Sequence, residues 1–189
     1  DERIIHVLPQ EYSIDGQTNI LEPVGCMGSR LSANFHVITG KIQAAKMIEA
    51  RVESAIIDGA QLKYGHIRDG ALYSPTVLDY VSIESELVSK ETFGPVLPLV
   101  SFNDLDEAIN YANDCDYGLT SSIFTSNIKT AMRAANEIKF GETMINRENM
   151  EIFQAFHAGV RKSGIGGADG KHGLYEYMQT HGVYINYDD

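Results

Sequence analysis

The 189-residue chain has almost no sulfur chemistry to offer: only Cys26 and Cys115 are cysteines, and they sit in unrelated contexts. A disulfide framework and a CxxC metal site are both excluded. The six histidines, at 6, 36, 66, 157, 172 and 181, form neither HxxxH nor HExxH, so no metal centre is expected. Positive charge is also scarce, with 15 Lys and Arg against 26 Asp and Glu and a formal net charge of -11. Counterion release on a polyanion needs clustered cations, so nucleic acid and anionic membrane are not expected partners. No apolar run approaches the roughly 20 residues a bilayer span requires. The opening DERIIHVLPQ lacks the basic-then-apolar layout of a secretory signal, and a cytoplasmic location is expected.

What is present is a chain 43% hydrophobic, enough for one domain or two small ones. RIIHVLPQEYSID opens with a β-rich run, DGQTN reads as a turn, and RLSANFHVITG alternates like a half-buried strand. From Ile42 to Ile57, Ala45, Ile48, Val52, Ala55 and Ile56 recur at three and four, and Gly59 follows as a stop, which predicts an amphipathic helix. AQLKYG is a strand candidate, RDGAL a turn and YSPTVLDYV a further extended piece. ETFGPVLPLVSF predicts a loop running into a buried strand. Asn103 or Asp104, with Glu107 three residues on from Asp104, predicts a capped helix with Leu105, Ala108, Ile109 and Ala112 on one face. TSSIFT and ETMIN read as strands on either side of a helix over 128–138, whose stripe would be Ile128, Ala131, Met132, Ala135 and Ile138. HGLYEYMQ reads as a short helix and GVYINY as a terminal strand. Strands alternating with helices predict an α/β layout with a largely parallel sheet in the second part, behind a smaller α+β unit.

The stretch RENMEIFQAFHAGVRKSGIGGADGKHG, 147–173, joins a glycine-rich loop to a crowd of ionisable groups. A phosphate loop of the GxxxxGK type would need glycine where Ile165 stands, and His172 occupies the magnesium-binding hydroxyl position. A dinucleotide fingerprint starting at Gly164 would need glycine in place of Asp169 and a strand where FHAGVRKS lies. Glycines that supply positive φ in a turn are the reading that remains. Arg147, Glu148, Glu151, His157, Arg161 and Lys162 show no periodicity; a solvated loop is the commoner meaning of such a cluster, and a site-bearing loop is the other.

KETFGPVLPLVSFND, EAINYANDCDYGLTSSIFT, KFGETMINREN and FHAGVRKSGIGGADGKHGLYEYMQT, in that order, resemble the C-terminal region of NAD-dependent aldehyde dehydrogenases of the lactaldehyde/glycolaldehyde type. The resemblance covers roughly 48–189. It implies that Glu91 and Phe93 contact the nicotinamide ribose of NAD, and that Glu151 and His157 bind the hydroxyl-bearing end of a small substrate. A carboxylate and an imidazole that bond a hydroxyl would reject plain alkyl aldehydes. It also implies that the glycine loop is a structural turn and that VYINY is a tail strand used between subunits, which makes a homo-oligomer the expected assembly.

The same family oxidises an aldehyde through a Cys thiolate, hydride transfer to NAD and a Glu base that hydrolyses the thioester. Its nucleophile, its base, its oxyanion Asn and its cofactor domain would lie before residue 48, where this sequence does not show them. Cys115 matches a non-catalytic position, and Asp114 and Asp116 beside it disfavour a thiolate. Cys26, in PVGCMGSR, lies too near the first helix for the family's nucleophile spacing and reads as a structural cysteine.

RIIHVLPQEYSIDGQTNILEPVG and GSRLSANFHVITGKIQAAKMI resemble instead the inserted subdomain of the cell-division protein FtsA, without its nucleotide-binding motifs. The resemblance implies division-protein contacts through residues 1–48, with the join near 46–49. The expected fold is therefore an α+β FtsA-like subdomain over 1–48 ahead of an α/β aldehyde-dehydrogenase fragment over 49–189. The expected function is descent from hydroxyaldehyde oxidation without catalysis or NAD binding by the isolated chain. A recombined or designed scaffold, or a protein-interaction module, is the alternative.

Overall fold

The structure, a computed structural model, describes residues 37–38, 40–147, 149 and 152–187. The strands expected before residue 37, Cys26 and Glu151 lie outside the described residues. In chain order the elements are β1 (Val37–Ile38), α1 (Ile42–Ile57), β2 (Gln61–Tyr64), β3 (Arg68–Asp69), β4 (Leu72–Tyr73), β5 (Thr76–Asp79) and α2 (Glu86–Ser89). They continue with β6 (Val96–Pro98), α3 (Leu105–Asn113), β7 (Thr120–Ile123), α4 (Ile128–Glu137), β8 (Glu142–Ile145) and α5 (Gly170–Glu176).

The three-four spacing of α1 buries Ala45, Ile48, Val52 and Ala55 along one line. Gly59, at φ 108°, releases the chain from the helix, and the Ala60 amide closes on the Ala55 carbonyl at 2.9 Å. Val52 and Ala55 pack with Ala60, Leu78, Val81, Leu87 and Val88 into one apolar cluster that α1, β5 and α2 share. Gly94 is bare because α1 lies against it: a Cβ there would stand 2.3 Å from Ile48 Cδ1.

The strands form three small sheets, ordered β1-β4-β3, β2-β5-β6 and β7-β8. The β5/β6 and β7/β8 pairs are parallel, each joined by a crossover, as the α/β reading requires. Antiparallel pairs lie toward the start of the described chain, at β1/β4, β3/β4 and β2/β5.

Several local expectations need correction. RDGAL is more than a turn, since Arg68–Asp69 and Leu72–Tyr73 pair across Gly70 and Ala71, with Gly70 at φ 59°. The short helix α2 carries no apolar period; it starts where the Ser85 hydroxyl accepts from the Leu87 amide. Helix α4 turns Ala131 and Ala134 inward and leaves Ile128 and Met132 exposed, because the small alanines permit close approach to the sheet and the longer side chains do not. GVYINY forms no strand, and Val183, Tyr184, Ile185 and Tyr187 are exposed. A β-former pairs only where a free edge receives it, and among the described residues no strand pairs with this segment.

Candidate active-site segments

The segment after β8 is strapped across the start of the β7–β8 pair. Val160 N donates to Gly118 O at 2.9 Å, and Gly118 N donates to Ser163 Oγ at 2.9 Å. Contact is so close at Gly141 that a Cβ would lie 1.5 Å from Ala158 O, which excludes any side chain at that position. His157 sits in the middle of this strap. Its backbone pairs with Ala168, His157 N to Ala168 O at 3.1 Å and Ala168 N to His157 O at 2.8 Å. The glycine-rich loop makes that pairing possible: Gly167 lies under the Phe156 ring and Gly170 against Gln154 O, at distances no Cβ would allow. The loop turns the chain and presents His157, as the turn reading expected.

His157 Nδ1 lies 2.9 Å from Oε2 of Glu142, a side chain only 8% exposed. The same oxygen accepts from Thr120 Oγ1 at 3.2 Å, and Thr120 is directly opposite Glu142 in the parallel register. Thr120, Glu142 and His157 thus form one connected polar group at the start of two strands.

Two members of the ionisable crowd prove structural. Arg161, at φ 57°, donates to Asn113 O at 2.9 Å, Cys115 O at 2.5 Å and Lys139 O at 2.9 Å, and its guanidinium lies 5.5 Å from the Phe140 ring centre. It ties the carbonyl end of α3 to Lys139, two residues past the end of α4, where a cation meets the negative ends of helix dipoles. Lys162 pairs with Asp116 on the surface.

Cys115 Sγ donates to Tyr117 O at 3.2 Å, and burial pushes its thiol above the ordinary range, against smaller opposite pulls from that bond and from Arg161. It is held as a thiol, which is the wrong form for a nucleophile.

Glu91 and Phe93 share a loop between α2 and β6, on the other parallel pair from His157. Arg51 of α1 donates to Glu91 O and Thr92 Oγ1, each at 2.8 Å, fixing that backbone. The Glu91 carboxylate makes no hydrogen bond or ion pair among the described residues, and the Phe93 ring is 72% exposed. A half-buried carboxylate with no protein partner among the described residues, beside an exposed aromatic ring, suits a sugar, whose hydroxyls the first accepts and whose face the second covers. These residues fit a ribose and leave the rest of a dinucleotide without contacts among themselves.

Glu142, Thr120 and Arg51 escaped the sequence reading. For Glu142 a signal existed: a charged residue at the head of a strand, ETMIN, needs a partner where it is buried. Nothing local identifies Arg51, whose partners lie forty residues away.

Residues 37–183 match the aldehyde dehydrogenase family, and residues 1–39 match the SHS2 domain inserted in FtsA. Lactaldehyde dehydrogenase of Escherichia coli is 54% identical over 145 residues, which are 75% of this chain and 30% of that enzyme. A 3,6-anhydro-alpha-L-galactose dehydrogenase of a Vibrio species is 40% identical, over 75% of this chain and 31% of the relative. The crystal structure of E. coli lactaldehyde dehydrogenase superposes with a TM-score of 0.70 at 55% identity, covering 76% of this chain and 31% of the other. A glyceraldehyde-3-phosphate dehydrogenase from Methanocaldococcus jannaschii, complexed with NADP, superposes with a TM-score of 0.67 at 36% identity, covering 72% and 30%. The chain thus spans about a third of the length of the relatives it matches. Over residues 37–183, with α/β architecture and parallel strand pairs to match, this chain belongs to the aldehyde dehydrogenase family.

Proposed function

We propose that residues 49–189 carry two part-sites of an aldehyde dehydrogenase of lactaldehyde type, one for the cofactor ribose and one for a small hydroxyaldehyde, and that this chain alone does not turn over. The observation that carries the substrate half is the His157 imidazole, held on a strap by its own backbone and by Glu142. Such a ring meets a hydroxyl with fixed geometry, and a site built for a hydroxyl leaves its polar groups unpaired against an alkyl aldehyde. Glu151, six residues earlier, is the second contact proposed for that hydroxyl. The identity to lactaldehyde dehydrogenase supports the same substrate class.

Glu91 and Phe93 are the proposed ribose contacts. NAD, when bound, supplies the acceptor for the aldehyde hydride; the chain's part is to orient the sugar through a carboxylate and a ring on a backbone that Arg51 fixes. With the adenine and phosphates left in water, affinity for NAD by this chain alone is expected to be too weak to measure. Incubation with NAD and glycolaldehyde is the test, and no NADH is expected. Turnover that Cys26→Ser abolishes would make Cys26 a nucleophile and overturn the reading.

A second reading follows from the match of residues 1–39 to the FtsA insert. In it the chain is a recombination of two protein fragments, divided at about residue 48, in which residues 1–48 contact division proteins and the exposed 183–187 tail pairs with a second copy. Sedimentation that stays monomeric at all concentrations would remove the tail-pairing part. A cytoplasmic location belongs to the same proposal; among the described residues no helix is long and apolar enough to cross a membrane.

A further inference from the structure

Glu142 is buried, charged and bonded to the one described residue to which the proposed site assigns the substrate hydroxyl. We infer that Glu142 is a positioning residue: it holds the proton of His157 on Nδ1 and thereby fixes which face of the imidazole, and which hydrogen-bonding role, Nε2 offers to a substrate. This inference rests on the reading of His157 as the hydroxyl contact and adds to it the group that orients the ring.

An ionised carboxylate accepts hydrogen bonds and cannot donate them, so the nitrogen 2.9 Å from Oε2 carries the proton. Thr120 strengthens the assignment, since its hydroxyl donates to the same Oε2 and marks that oxygen as an acceptor. Position adds to chemistry. Glu142 is the first residue of β8, with Thr120 opposite it on β7, so the carboxylate rides on paired strands while His157 rides on a loop. The paired strands thus supply the fixed group that aims the loop side chain. In the neutral ring, Nδ1–H makes Nε2 an acceptor that takes the proton of a substrate hydroxyl; in the protonated ring, Nε2 donates instead. An ether oxygen, which has no proton to give, finds no partner at the neutral ring.

A loop staple would also place Glu142 near His157, so the decisive readout is the tautomer. The 189-residue chain, labelled with 15N-histidine, is observed at a pH where the ring is neutral, and His157→Gln assigns its signals among the six histidines. The expected spectrum has a protonated Nδ1 and an unprotonated Nε2. Glu142→Gln keeps the shape but can donate as well as accept, so the preference for Nδ1–H falls by about tenfold or more, the size of a charge-assisted hydrogen bond. Thr120→Val, which leaves the carboxylate in place, keeps Nδ1–H. A proton on Nε2 in the unaltered chain overturns the inference whether or not any variant folds. So does an unchanged tautomer in a Glu142→Gln chain whose amide spectrum is native. Failure of the underlying substrate reading looks different: Nδ1–H is found as expected, while added glycolaldehyde leaves the His157 signals unmoved.

Discussion

Arg51 Nη1 donates to the carbonyl of Glu91 across forty residues of sequence at 2.8 Å, so the first helix of the family region sets the backbone of the proposed ribose loop. The guanidinium is largely buried and also reaches Thr92 Oγ1 at 2.8 Å and Glu86 Oε2 at 3.3 Å. Replacing it by methionine keeps the stem and deletes these bonds. We expect Arg51→Met to lower unfolding free energy by about 3 kcal/mol in urea titration, since the two 2.8 Å bonds from this charged group are worth at least about 1.5 kcal/mol each and the exposed Glu86 partner adds little. Hydrogen exchange should accelerate at 91–94 more than at β7–β8. Uniform acceleration would mean that Arg51 serves general stability alone.

Gly141 and Gly166 separate contact from conformation. At Gly141 a methyl group would collide with the Ala158 carbonyl, whereas Gly166, at φ 77°, has nothing within 4 Å. Gly141→Ala must push the His157 strap off β8 and should destabilise by about 3 kcal/mol or more. Gly166→Ala meets only backbone strain, about 1 kcal/mol. Chemical denaturation of the two variants checks the ranking, and a milder effect at Gly141 would refute the close approach.

Tyr73 gives the chain an alkaline limit. Burial first, then the charge of Glu49, pushes its phenol from 10.0 up to about 12, and the hydroxyl meets His66 Nδ1 at 2.7 Å. Between those values the folded state retains a proton that the unfolded state has lost. Tyr73 therefore contributes stability that is complete below pH 10 and is lost as pH rises toward 12. From pH 9 to 11.5 the loss assignable to this residue is about 2 kcal/mol. It is read as the difference in pH dependence between the unaltered chain and Tyr73→Phe, and parallel curves would contradict it.

Cys115 should resist alkylation. Burial holds it as a thiol, so in a Cys26→Ser background at pH 8, iodoacetamide should label it at least about tenfold more slowly than a free cysteine. Labelling as fast as the free amino acid would reopen Cys115 as a reactive group.

What the sequence disclosed follows from range. Helix α1 was legible to its ends because its period and Gly59 are local, and α3 because Asp104 and the Glu107 amide, three residues apart, meet at 2.9 Å. The family motifs pointed to Glu91, Phe93 and His157 but not to what holds them. Glu142 reaches His157 across fifteen residues and Thr120 across twenty-two, and only the pairing of β7 with β8 makes them neighbours. Helix α4 shows the opposite failure: its apolar period was real, yet closeness of packing, which periodicity does not contain, chose the alanine line. The tail forms no strand among the described residues, since β propensity in VYINY cannot supply the edge on which a strand depends.

Whether His157 reads a hydroxyl on an aldehyde is decided by a hybrid enzyme. Residues 37–187 of this chain replace the corresponding third of E. coli lactaldehyde dehydrogenase, and kcat/KM is measured with lactaldehyde and with propionaldehyde, which differ by one hydroxyl. We expect NAD reduction that favours lactaldehyde, and a His157→Ala hybrid in which that preference falls by about 10- to 100-fold while propionaldehyde turnover holds. A folded, active hybrid whose preference is indifferent to His157 would contradict it.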